Sequence, residues 1–126
     1  LVHKDMPIAE KDFVTQADLL EEPIIMTKRT IVQNAIAGWF GKDFEQLNII
    51  GTYNLLGNAA VMVQQKAGIA LGIKRNCEFD SVCFIPLSPM LTSKTVLVWK
   101  KNQTMSRITN TFIDFAKKCI NRISDN

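Results

Sequence analysis

The sequence predicts an α/β layer fold, a mixed and mainly parallel sheet flanked by helices. Three observations lead there. Short, continuously apolar runs such as Ile24-Ile25-Met26 have the character of strands buried on both faces. Between those runs stand stretches whose apolar residues recur at helical spacing, so strands and helices alternate along the chain. The 126 residues, 47% of them hydrophobic, suffice for one domain with a real core and are too few for two comfortable ones.

The elements follow in order. Leu1 to Lys4 reads as a short strand that ends where Pro7 turns the chain. Thr15 can cap a helix, with Asp18 three residues on near the positive end of its dipole, and Pro23 keeps that helix short. After the strand at Ile24-Ile25-Met26, the residues Val32, Ala35, Ile36, Trp39 and Phe40 mark one stripe of an amphipathic helix, ended by Gly41. Asn48 to Tyr53 is the next strand, and Asn54 is a good cap for the helix whose stripe runs Leu55, Ala59, Met62, Val63, Lys66. Gly68 closes that helix, and Ile69 to Ile73 is a third buried-type strand. Lys74 to Ser81 is polar and reads as a loop. Val82 to Leu87 is a strand stopped by Pro86 and Pro89, and Thr95 to Lys100 is the most strand-like stretch of all. Ser106 caps a last helix with the stripe Ile108, Phe112, Phe115, Cys119.

Composition narrows the function classes. Fifteen Lys and Arg against twelve Asp and Glu leave a net charge of +3, spread along the chain instead of gathered into a nucleic-acid stripe. No leader pattern and no membrane-length apolar run is present. Cys77, Cys83 and Cys119 have no metal-like spacing and read as reduced thiols of a cytoplasmic protein, Cys83 and Cys119 in the core and Cys77 in the polar loop. The first residue is not Met, so the chain is expected to be a piece of something longer.

Catalysis is poorly supplied. His3 is the sole histidine, and it reads as a strand-end residue and not as a triad member. No catalytic group, metal site or cofactor is expected. The segment Gly68 to Lys74 fits neither phosphate-loop pattern. Asn102-Gln103-Thr104 is a chance glycosylation triplet, and Lys117, Lys118 and Arg122 suit the C-terminal end of a helix dipole.

Two strand-to-helix junctions remain. One is Thr27, Lys28 and Arg29; the other is Tyr53, Asn54, Leu55 and Asn58. In open α/β sheets ligands bind beyond the carboxyl ends of the strands, where helix N-termini present free N–H groups. Thr27, Lys28 and Arg29 would add hydroxyl and cationic donors, and Tyr53, Asn54 and Asn58 an aromatic face and amides. The plainer assignment makes Thr30 and Asn54 helix caps and Lys28 and Arg29 solvated charges.

Five segments in sequence order then carry a resemblance: Leu1 to Ala9 with its Met6-Pro7-Ile8-Ala9 turn; Val14-Thr15-Gln16-Ala17-Asp18-Leu19 leading into Pro23-Ile24-Ile25; Ala60 to Leu71; Leu97-Val98-Trp99-Lys100-Lys101; and Phe112-Ile113-Asp114-Phe115. Together they resemble the effector-binding domain of LysR-type transcriptional regulators. The resemblance spans essentially the whole chain. Two details depart from the family pattern: the glycine spacing around Gly68 is offset, and Gly72-Ile73-Lys74 stands where a proline is common.

That resemblance implies a periplasmic-binding-protein type 2-like lobe. Residues 1–104 would be the second subdomain of the effector domain, with Leu1–Lys4 and Val96–Lys100 as its two hinge strands. Residues 105–126 would be a C-terminal helix that packs on a first subdomain not contained in this sequence. The implied partner is a small-molecule effector bound between the lobes at Thr27, Lys28, Arg29, Tyr53, Asn54, Leu55 and Asn58; Lys28 and Arg29 hint at an anion. DNA would be reached only through a helix-turn-helix outside this sequence, membranes not at all, and the parent is expected to be a homodimer or larger homo-oligomer. The unpartnered stripe of the last helix is expected to fold onto its own subdomain or to exchange with another chain. Two other readings compete: a solute-binding lobe of a periplasmic-type binding protein, which shares the fold, and a small α/β enzyme using Lys28, Tyr53 or His3.

Overall fold

The apolar run at Pro23–Thr27 forms the strand (β2) around which the molecule is organised, and its side chains alternate between two cores. In the computed structural model, residues 1–75, 79–93, 96–100 and 102–124 are described, with side chains as far as residue 120. The chain divides into two units, Leu1–Lys94 and Thr95–Asn126.

In the first unit, Ile24 and Met26 pack with Ile36 and Phe40 of α2 (Thr30–Phe40), while Ile25 packs with Ala59, Ala60 and Val63 of α3 (Leu56–Gln64). None of the three β2 residues is more than 1% exposed. β2 pairs in parallel with β3 (Asn48–Tyr53) on one side and β4 (Ile69–Ala70) on the other, giving the order β3-β2-β4. The chain leaves β2 for β3 through α2 and crosses back over β2 to β4 through α3. Right-handed crossovers in opposite directions place the helices on opposite faces, which is why β2 is apolar on both sides.

The antiparallel component enters at Leu1. Its nitrogen donates to the Ala70 carbonyl at 2.9 Å and its carbonyl accepts from the Ala70 N–H at 3.0 Å. Such a reciprocal pair is an antiparallel bond pattern. It ties β4 to the start of β1 (Val2–His3), which pairs antiparallel with β5 (Val82–Cys83). The parallel sheet flanked by helices is the one expected, but the antiparallel pair β1-β5 is a separate two-stranded sheet and not part of a single mixed one.

The helix termini follow local chemistry. α1 (Gln16–Leu20) carries the capping box: the Thr15 hydroxyl accepts from the Asp18 N–H, and the Asp18 carboxylate accepts from the Thr15 N–H at 2.9 Å. α2 stops at Gly41, whose φ of 59° few other residues adopt, and the chain continues as a 3-10 helix, Gly41–Gln46. A second 3-10 turn, Pro7–Glu10, follows β1.

Several expectations need correction. α3 is capped by Leu55 and not by Asn54; Leu55 is extended, and its carbonyl accepts from the Asn58 and Ala59 N–H groups. Thr30 is the first helical residue of α2, not its cap. α3 is closed by Lys66 and not by Gly68: Lys66 takes φ 57°, its N–H bonds Val63, and the Ala67 N–H bonds Met62, a Schellman pattern. Gly68 has another task, since a Cβ there would run into the Pro23 carbonyl. The strands at Ile69–Ile73 and Val82–Leu87 are cut to two residues each. Past Ala70 the Leu71 carbonyl is taken by the Tyr53 hydroxyl, and past Cys83 the chain turns to bridge Val14 at Leu87. Cys83 and Cys119 are half-buried, not core, thiols, and Cys77 lies outside the described residues.

In the second unit, 96–100 forms no strand; Thr95 lies outside the described residues. A strand needs a partner edge, and none pairs with this segment among the described residues. Val96 and Val98 are 74% and 79% exposed. The last helix, α4 (Arg107–Ser124), starts as expected at Ser106, whose hydroxyl accepts from the Thr109 N–H at 3.2 Å. Lys117 sits over the Trp99 ring, 5.2 Å from its centroid.

Candidate functional site

Parallel pairing brings the carboxyl ends of β2, β3 and β4 to one edge of the sheet, where the chain turns into α2, α3 and the segment after β4. A cavity of about 260 Å³ opens there. Thr27 and Arg29 reach it from the end of β2, and Tyr53, Asn54 and Leu55 from the end of β3. Gly72, Ile73 and Arg75 form a third wall beyond β4.

Backbone and side-chain bonds fix that edge. The Lys28 N–H donates to the Tyr53 carbonyl at 2.7 Å, so both strands turn off together. The Thr27 hydroxyl, 3% exposed, accepts from the Arg29 N–H at 3.2 Å and sets the turn into α2. The buried Tyr53 hydroxyl donates to the Leu71 carbonyl at 2.8 Å, which ties the second wall to the third. The absence of a side chain at Gly72 permits this contact, since a Cβ there would meet the Tyr53 hydroxyl oxygen. Burial pushes the Tyr53 phenol above its ordinary pKa, while the Thr27 hydroxyl and the Arg29 charge pull it back. At neutral pH it is therefore protonated, a neutral strut between two walls.

The cavity also holds positive charge. Arg29 is itself the N-cap of α2, and the first turns of α2 and α3 contain no acidic residue. Two helix N-termini and two guanidinium groups thus share one concave site. Its remaining wall is apolar, with Val32, Leu56 and Phe79. Such a site can bind and orient a small molecule, and among its described residues no nucleophile and base stand in line.

Of the residues singled out by sequence, Thr27, Arg29, Tyr53, Asn54 and Leu55 come together on this cavity. Lys28 and Asn58 do not line it: Lys28 is exposed and contributes its backbone, and the Asn58 N–H is spent on Leu55. Gly72, Ile73 and Arg75 were not picked out, although the carboxyl-end rule applied to the strand at Ile69 would have found them. His3 lies elsewhere, buried, with Nδ1 accepting from the Asp5 N–H at 3.1 Å. It is a structural histidine.

Among the described residues no group of three or more His, Cys, Asp or Glu is placed to hold a metal, and no helix is long and apolar enough to cross a membrane. A protein-family model, the LysR substrate binding domain, matches residues 1–119. No curated protein matches the sequence.

Proposed function

Since the chain belongs to the LysR substrate-binding domain family, the effector-sensing part of transcriptional regulators, we propose that the cavity at the ends of β2, β3 and β4 is its effector site. The observation that supports this most is the convergence of Thr27, Arg29, Tyr53, Asn54 and Leu55 on one cavity at the carboxyl edge of a parallel sheet. Lys28 and Asn58 extend the same two turns outside the cavity and meet an effector that protrudes from it. The guanidinium of Arg29 and the two helix N-termini favour a ligand with negative charge.

In this reading residues 1–104 are the second of two effector-domain lobes, and the helix 105–126 packs on the first. The segment 96–100 gains a strand partner when that lobe is present. An effector that touches both lobes favours one closure angle and so shifts the population of a dimeric or larger assembly, with its grip on DNA, between two states. The DNA contact is made by a helix-turn-helix outside this sequence, in the cytoplasm.

The test is a ligand-observed NMR screen of small metabolites against the 126-residue chain, repeated on Leu55→Trp. Leu55 is 61% exposed and lines the cavity, so the larger ring obstructs the site without disturbing the core. Binders should weaken at least about ten-fold, the equivalent of roughly 1.4 kcal/mol. Binders indifferent to Leu55→Trp would place the effector somewhere else.

A further inference from the structure

The two arginines of the cavity stand against their own surroundings. A helix N-terminus carries positive partial charge and favours anions, yet the residue that caps α2 is Arg29, preceded by Lys28 and followed by a first turn without an acid. Arg75 lines the same cavity. Ion pairs among the described residues engage Asp5 with Lys66 and Asp18 with Lys11; none reaches Arg29 or Arg75. Two exposed guanidinium groups on one concave site, with no acidic partner among the described residues, favour a ligand that brings the negative charge.

The rest of the wall limits what that ligand is. Val32, Leu56, Ile73 and Phe79 give the site an apolar side that a bare inorganic oxyanion would leave unused. The Tyr53 hydroxyl is engaged by Leu71, so Tyr53 offers a ligand its ring and not a donor. Among the described residues the Asn54 amide makes no hydrogen bond, and it lines the cavity where a ligand oxygen can reach it. The volume, about 260 Å³, lies just under the ~300–1,000 Å³ typical of drug-sized pockets and suits a small metabolite.

Resting on the reading of this cavity as the effector site, we infer that its ligand is a small monocarboxylate with a compact apolar body. The carboxylate is held by Arg29, Arg75 and the Asn54 amide, and the body lies against Leu56, Ile73 and Phe79. An uncharged molecule would gain nothing from the two guanidinium charges, which are exposed to solvent, and an amine would be repelled by them.

Amide NMR titrations of the 126-residue chain test this with benzoate and isovalerate, their uncharged counterparts benzamide and isovaleramide, and sulfate. At least one carboxylate should move the amides at Arg29, Tyr53 and Leu56. It should bind about ten-fold or more tightly than its own amide and than sulfate. Arg29→Gln with Arg75→Gln should abolish that preference, the carboxylate losing more affinity than its amide. The spectrum itself reports that the variant is folded. If the uncharged probes bind these amides as tightly as the acids, the carboxylate assignment is overturned while the cavity stands as a ligand site. Sulfate equal to the carboxylates overturns the apolar body and leaves a plain oxyanion site. If no probe at tens of millimolar moves these amides, the carboxylate assignment fails; shifts confined to another face overturn the effector site as well.

Discussion

Two residues with no charge between them hold the candidate site open. Tyr53 bridges two walls through the Leu71 carbonyl, and Gly72 is the residue whose missing side chain leaves room for the phenol. Gly72→Ala is expected to cost about 1–3 kcal/mol, the usual penalty for overpacking a filled site. Tyr53→Phe is expected to cost about 1–3 kcal/mol by stranding the Leu71 carbonyl. The double variant should lose clearly less than the sum, because removal of the hydroxyl also removes the atom with which the new methyl collides. Urea unfolding of the four proteins measures the coupling, and strict additivity would mean that the two do not touch. Tyr53 is also the sole tyrosine, so phenolate absorbance reports it alone. Its midpoint should lie above the ordinary value near 10, and Arg29→Gln should raise it further, because the guanidinium charge favours the phenolate. Since the folded protein holds this proton more tightly than the unfolded chain, its contribution to stability is complete below the unfolded pKa and falls as pH rises through the folded one.

At the scale of elements, the question is what a short sequence signal can specify. The capping box was legible because all its parts are local: Thr15 and Asp18 lie three residues apart and bond each other reciprocally. The Asp18 carboxyl, bonded by Lys11 first and then by Thr15, is held at about 2, and Lys11→Gln should raise it in a carboxyl NMR titration. With the folded value depressed, its contribution is present above the ordinary aspartate range near 4 and disappears as pH falls through 2. The end of α3 was misplaced for the opposite reason. Gly68 looked like a stop signal, but the left-handed residue is Lys66, and Gly68 is required by a neighbour distant in sequence, the Pro23 carbonyl. The two roles separate by mutation. Lys66→Gly should stabilise by up to about 1 kcal/mol by relieving the left-handed conformation, although it gives up an exposed pair with Asp5. Gly68→Ala should destabilise by about 1–3 kcal/mol by forcing β4 away from β2. If Gly68 were the cap, Lys66→Gly would fall inside the helix and destabilise by about 1 kcal/mol in urea unfolding instead of stabilising.

For the whole molecule, the order of strands and helices sufficed to give the layer architecture, because parallel strands joined by helices have few right-handed ways to pack. The first two walls of the cavity were legible for the same reason: strand ends and helix starts are local signals, and parallel pairing collects them. The third wall was missed although the same rule covers it: Arg75 follows the strand at Ile69, and its place on the cavity comes from β4 lying beside β2. Strand propensity failed at 96–100, where β-branched and aromatic residues specify a pleated surface but cannot supply the edge that pairs with it. α4 poses the same problem in a form that can be measured. Its stripe is sharply apolar, yet Ile108, Phe112 and Phe115 are 83%, 59% and 65% exposed. Three large side chains on one helix face exceed the scattered exposure normal for a monomer, and covering them removes apolar surface from water. The chain by itself should therefore associate as its concentration rises. Phe112→Glu with Phe115→Glu should raise the dissociation constant of that association at least about ten-fold in sedimentation velocity. Both positions face solvent and Glu is a good helix former, so helix content by circular dichroism should be unchanged. An unsubstituted 126-residue chain that sediments as a monomer at hundreds of micromolar would show that the stripe is too weak to drive association, and its cover in a longer protein would then depend on being tethered to the surface it meets.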